Sequence, residues 1–255
     1  MTAPGGVQTR QTGNPAFKQE VYQPAGRDQS TMTVAGTVMK AFFFAIILIV
    51  GAVMGWSLVE PDASGAIVWP SWSFWLSLAA FVMALITIMN PRLAPFTGSL
   101  YSLLQGMVLG AISAIYDVAW NGIVLQAVIV TIAIMMAVLV LYLLGVLRAT
   151  RRFTKMLVIA TAGIALLYLF AFVLSLFGVD AVFWTKPTSA GIFWTLVVVV
   201  IAALNFVLDF DAIERYVAAG APKELEWHAA FGVILTLVWL YLEVLRMIAL
   251  SRARQ

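Results

Sequence analysis

Apolar residues fall in seven long runs separated by short polar breaks, at approximately 36–58, 71–90, 96–116, 122–147, 154–177, 189–210 and 228–250. Each is close to the roughly 20 residues that an α-helix needs to cross a hydrocarbon layer of about 30 Å. None alternates apolar with polar positions, as the roughly ten-residue strands of a membrane barrel do. Lipid offers unpaired backbone no third solution. The pattern therefore predicts an all-α integral membrane protein with seven transmembrane helices. Asn90-Pro91-Arg92 separates the second run from the third, and LRATRRFTK separates the fourth from the fifth. Residues 1–31, rich in Gly, Pro, Gln and Thr and without apolar period, read as a disordered cytoplasmic tail, leaving 32–255 as the transmembrane domain. The tail has no short apolar stretch with a cleavage site, so it does not read as a secretory signal.

Composition narrows the class further. The 255 residues are 63% hydrophobic and 11% charged, well below the roughly 25% charge of an average soluble domain. Mean hydropathy is +0.99. With no cysteine, neither a disulfide framework nor a thiolate metal site can form. One histidine and no HExxH argue against a helical zinc hydrolase. The net charge of +3 fits basic loops facing anionic lipid rather than nucleic acid.

Charge placement predicts orientation. Arg10, Lys18 and Arg27 lie in the tail, Arg92 in the second-third loop, Arg148, Arg151, Arg152 and Lys155 in the fourth-fifth loop, and Arg215 and Lys223 between the last two runs. Glu60 and Asp62, Asp117, and Asp180 with a single Lys186 occupy the other loops. Tail and even-numbered loops are therefore expected in the cytoplasm of a multi-pass plasma-membrane protein. Arg252 and Arg254 conflict with a full seventh crossing, and a re-entrant last segment would resolve the conflict. Trp56, Trp69, Trp72, Trp75, Trp120 and Trp184 cluster on the opposite side as an aromatic belt anchored in lipid.

Candidate chemistry is sparse. Glu243 lies within the last apolar run, where an acid costs about 2.5 kcal/mol or more and usually faces a bundle interior or a water-filled path. Asp209 ends the sixth run. In NFVLDFDAIERY, Asp209 and Asp211 lie about 200° apart on a helix, so they cannot face one partner. Asn205 and Asp209 share a face, pointing inward. Asp211 and Arg215, four apart, suit a local ion pair at the helix end. Glu243 has a structural alternative in an ion pair with Arg246, three residues on. Gly51 and Gly55, and Gly106 and Gly110, have the spacing that lets helix backbones approach closely. Gln105 reads as a hydrogen-bonding residue beside that packing, or as a pore-lining one. Lys40 is expected to snorkel to the cytoplasmic surface, and His228 to sit at the interface.

The stretch LDFDAIERYVAAGAPKELEWHAAFGVILTLVWLYLEVLRMIAL, with NPAF at 14–17, YSLLQGMVLGAIS at 101–113 and GIVLQAV at 122–128, resembles the Bax inhibitor-1 family, or transmembrane Bax inhibitor motif proteins. It looks most like the branch found in high-GC Gram-positive bacteria. The resemblance implies six helices around a central seventh, and a pH-sensitive calcium leak channel. It also implies an acidic pair that shares a proton, at Asp209 (FVLDFDAI) and Glu243 (LYLEVL, where much of the family has aspartate). The third helix often carries Glu-Gly where this chain has Gln105-Gly106, one negative charge fewer. Two close carboxylates in a low-dielectric site cannot both ionise easily, and a shared proton would latch two helices. Its loss would expose oxygen ligands to Ca²⁺, making Asp209 and Glu243 the expected metal path. A salt bridge from Arg92 to Asp209 would brace the closed state.

The leading expectation is a pH-gated cation leak, chiefly for Ca²⁺, with protons, lipids and Ca²⁺ as its partners and no resident cofactor. A proton/cation secondary transporter is one alternative, although no internal repeat is evident. The other is a regulatory protein that contacts a membrane protease, for which tail and basic loops would matter most. No intramembrane protease motif is present, so catalysis is not expected.

Overall fold

The computed structural model describes residues 30–59, 70–178, 184 and 186–254. The tail through residue 29, Glu60, Asp62, Trp69 and Asp180 lie outside the described residues. The helices are α1 (Val34–Ser57), α2 (Ser71–Met89), α3 (Ala94–Ala119), α4 (Ile123–Leu143), α5 (Arg151–Leu176), α6 (Ser189–Ala218) and α7 (Leu225–Arg252), with a 3₁₀ turn at Pro91–Leu93. All seven are long and apolar enough to cross a membrane. Threonines cap three of them: Thr33, Thr150 and Thr188 each accept a hydrogen bond from a backbone N–H three residues on.

Two ends depart from the apolar runs. The fourth run continues to residue 147, yet α4 stops at Leu143, because Gly145 takes a left-handed φ of 71°. Val146 N–H then bonds back to Leu141 C=O at 3.0 Å, the signature of a glycine C-cap. The sixth run ends at residue 210, but α6 continues eight residues further to an identical stop at Gly220. Its final turns, AIERYVA, are amphipathic rather than apolar, so hydropathy misses them. At 30 residues, α6 is about 45 Å long and extends beyond the hydrocarbon.

α7 packs directly against α1, α3, α4 and α6. Alanines Ala80 and Ala84 of α2 share a core cluster with its Phe231, Ile234 and Val238, and α5 reaches it through Tyr168. The seventh helix is thus the hub of the bundle. It is continuous, and Arg252 near its end donates to Asn121 C=O at 3.2 Å and to Gln126 Oε1 at 2.8 Å. Those partners sit in the α3–α4 connection and the first turn of α4, at the far end from the start of α1. α7 therefore makes a full crossing, and the re-entrant alternative for Arg252 and Arg254 is not adopted.

The glycine spacing has its expected consequence. A methyl group on Gly106 would overlap the carbonyl of Leu48, and one on Gly110 that of Ala52. On Gly51 and Gly55 it would strike the carbonyls of Leu103 and Met107. α1 and α3 are therefore in backbone-to-backbone contact along their length.

Candidate functional site: a polar seam between α5, α6 and α7

The helical-face arithmetic at the end of α6 holds. Asp209 is fully buried and accepts a 2.6 Å hydrogen bond from the hydroxyl of Thr236 on α7. Asp211, on another face, forms an ion pair with Arg215 at 2.9 Å and is partly exposed. Asn205, one turn from Asp209, is also buried, but it turns to α5. Its amide donates to Thr161 Oγ1 at 3.0 Å and to Ile201 C=O at 2.8 Å.

Glu243 is buried and is engaged both from α5 and from its own helix. Tyr168 of α5 donates to its Oε1 at 3.1 Å, and Arg246 Nη1 lies 3.3 Å from its Oε2. Arg246 also donates to the Tyr168 hydroxyl at 3.0 Å, and its guanidinium lies 5.4 Å from the Tyr168 ring centroid. The expected direct contact of Asp209 with Glu243 is not formed. Thr236, which holds Asp209, is seven residues before Glu243 on α7. Seven residues are about 10 Å of rise and nearly two whole turns, so both lie on one face at different levels. The Glu243–Arg246 ion pair, given above as an alternative, is present.

Spacing on α5 matches. Thr161 and Tyr168 are also seven apart, so one stripe of α5 meets Asn205 at one level and Glu243 at another. The result is a polar seam through an otherwise apolar bundle. Asp209–Thr236 comes first, then Asn205–Thr161, then Glu243–Tyr168–Arg246 towards the far end. Sequence reading singled out the acids and Asn205 but missed Thr161, Tyr168 and Thr236. The matched seven-residue spacing in the two helices was the available signal.

Four expectations need correction. Arg92 is exposed in the 3₁₀ turn and makes no ion pair with Asp209, which is enclosed in the core. Lys40 does not snorkel; it pairs with Glu226, whose buried carboxylate also accepts from the Thr33 N–H at 2.9 Å and hydroxyl at 3.0 Å. Its ammonium also lies 5.2 Å from the Trp227 ring centroid. His228 is fully buried in the first turn of α7 rather than interfacial. Trp184, expected as a lipid anchor, is buried and stacks on Tyr168 with ring centroids 5.9 Å apart. Gln105 is half-buried on α3.

Among the described residues, no three His, Cys, Asp or Glu side chains come together to hold a metal ion. Each acid of the seam offers two oxygens, against the six to eight that Ca²⁺ takes.

A seven-helix membrane bundle with buried acids facing its last helix agrees with comparison at the family level. The Bax inhibitor 1 like family matches residues 14–253, and the chain belongs to it. Comparison with curated proteins and with solved structures finds no match.

Proposed function

We propose that the chain is a pH-responsive cation leak, chiefly for Ca²⁺, in the plasma membrane with its N-terminus in the cytoplasm. The observation that carries this reading is the placement of two buried carboxylates against one face of the hub helix, Asp209 of α6 at Thr236 and Glu243 two turns further along. An intramembrane acid is costly, and its usual justification is an ion or proton pathway. In this reading the acids divide the work. Asp209, buried and accepting the Thr236 hydroxyl, is the cation station. Glu243, tied to Arg246 and to α5, is the proton-sensitive gate.

The gate's sign follows from its geometry. The ion pair exists only while Glu243 is ionised. Protonation removes the charge that holds Arg246 and loosens the junction of α5 with α7, so the leak increases as pH falls. This replaces the shared-proton latch expected from the resemblance, in which proton loss opened the path.

A proton/cation exchanger is favoured by one observation, the fixed cation of Arg246 beside the titrating Glu243. Purified protein in liposomes separates the two readings. Ca²⁺ entry down its own gradient, with no pH gradient and increasing at acid pH, supports the leak. Ca²⁺ entry only against an opposing proton gradient supports exchange. Absence of Ca²⁺ movement under either condition sinks both.

A further inference from the structure

We propose that Arg246 is the plug of this seam, and that Tyr168 is the positioning residue through which α5 holds the plug shut. The inference rests on the cation-leak reading and assigns the closing element within it. Three observations carry it. The first is the guanidinium itself. Arg246 Nη1 lies 3.3 and 3.5 Å from the two Glu243 oxygens. It thus occupies the side of the carboxylate that an approaching cation would need, and it cancels the charge that would attract one. A divalent ion meets a fixed positive charge there until Arg246 moves.

The second is the double grip of Tyr168. Its hydroxyl donates to Glu243 and accepts from Arg246, while its ring lies under the guanidinium. The ring also stacks on buried Trp184, which in turn lies 6.3 Å from Trp194 of α6. The aromatic row fixes the ring in the orientation that serves both charged groups.

The third is how lightly α5 packs on the bundle. α5 packs chiefly on α6, and little of its apolar stretch is buried, whereas about half of that of α6 and α7 is. Thr161 bonds to Asn205 of α6, and Tyr168 bonds to Glu243 and Arg246 of α7. Breaking the Tyr168 contacts removes the side-chain tie between α5 and the Glu243 end of α7.

The charged and titratable groups acting on Glu243 are few. Arg246 is on its own helix, Tyr168 faces it from α5, and Tyr116 of α3 is near enough to act on the guanidinium. α6 from Ser189 to Leu208, α4 from Ile123 to Leu141 and α2 contain no ionisable side chain, and the Lys40 of α1 is engaged with Glu226 at the opposite end. The state of this gate is therefore set by Glu243 through Arg246 and Tyr168.

The test uses Ca²⁺ flux in liposomes and a distance measurement that does not need flux. Arg246→Met removes the charge but keeps much of the bulk, and Tyr168→Phe removes only the hydroxyl. Both are expected to raise Ca²⁺ flux several-fold at neutral pH, with Tyr168→Phe moving the midpoint of the pH curve towards neutral and Arg246→Lys showing an intermediate effect. The chain has no native cysteine, so spin labels can be placed at Leu166→Cys on α5 and Ile129→Cys on α4, both lipid-exposed positions. The label separation is expected to lengthen or broaden between about pH 8 and pH 5, and Tyr168→Phe should show the acid distribution already at the higher pH. A purely structural role predicts lower melting temperatures with an unmoved pH midpoint, and that result overturns the proposal. So does a conducting wild type whose flux is matched by Arg246→Met. A wild type that passes no Ca²⁺ sinks the leak reading instead, and the label distances then decide the latch: a pH-invariant distribution overturns it, and a pH-dependent one upholds it.

Discussion

The ammonium of Lys40, two turns into α1, is paired with the fully buried carboxylate of Glu226 in the first turn of α7. Around it the chain entering α1 is pinned to the α6–α7 connection. Met32 N–H bonds to Ala221 C=O at 2.7 Å and Lys223 N–H to Ser30 C=O at 3.0 Å. Gly36 lies so close to the Glu226 carboxylate that a methyl group there would overlap it. The first and last helices are thus fastened at the N-terminal end of the bundle, opposite the Glu243 junction. Removing one partner of a buried pair leaves the other charge uncompensated, at a cost of about 3–5 kcal/mol. Lys40→Met is expected to destabilise the protein on that scale in a detergent unfolding assay. Adding Glu226→Gln should recover most of the loss. A single Lys40→Met variant as stable as wild type shows that the pair contributes nothing.

Backbone contact between α1 and α3 makes a second, sharply position-dependent expectation. Gly106→Ala must push α1 away, because the new methyl group meets the Leu48 carbonyl rather than a flexible side chain. Overpacking of this kind costs about 1–3 kcal/mol. Gly163 of α5 is also mid-helix, but nothing lies within 4 Å of a Cβ added there. Gly163→Ala should therefore be neutral or stabilising by about 0.5–1 kcal/mol through helix propensity. Thermal melting of the two variants side by side checks the contrast, and equal effects would remove the packing argument.

The lengths of the apolar runs made all seven helices legible, and the 100° step per residue separated Asp209 from Asp211 correctly. Both signals are local. What local pattern could not supply was the partner across a helix interface. Tyr168 sits in ALLYLFAF, where a tyrosine reads as one more aromatic in lipid, and only the fold brings it to Glu243. Glu226 lies in KELEW, beside the exposed Glu224, and polarity alone does not say which of the two acids turns inward. Lys40 was visible as the lone cation of the first span, yet its partner is 186 positions away. The seam is the same kind of case. Its spacing is written in Thr161/Tyr168 and Thr236/Glu243, but the two stripes become one site only when α5 and α7 meet.

Thr236 donates the 2.6 Å hydrogen bond to Asp209 and bonds its own helix at Gly232 C=O. Thr236→Val keeps the shape and removes the donor, leaving a buried carboxylate short of a partner at a cost of about 1–3 kcal/mol. Thr236→Ser keeps the hydroxyl and should lose far less. The measurement is denaturant unfolding in detergent. If valine and serine prove equivalent, the hydroxyl is not what holds Asp209.

Charge removal along the seam separates station from gate. Glu243→Gln retains an acceptor for Tyr168 but gives Arg246 no counter-charge at any pH, so it should reproduce the acid state throughout. Flux is then high and nearly independent of pH, whereas wild-type flux increases as pH falls and the ion pair is protonated away. Asp209→Asn still accepts from Thr236, so the fold is kept, but the cation station is lost. Its Ca²⁺ flux should drop several-fold at every pH while the midpoint of the curve stays in place, because the gate is untouched. Asp211→Asn affects a pair with Arg215 at the helix end, away from both stations, and should leave amplitude and midpoint unchanged. Ca²⁺ entry into liposomes across acidic to neutral pH reads all three variants, with melting temperatures recorded to exclude unfolding. A wild type whose flux falls on acidification reverses the assigned sign. Full pH dependence in Glu243→Gln would take the gate away from Glu243 altogether.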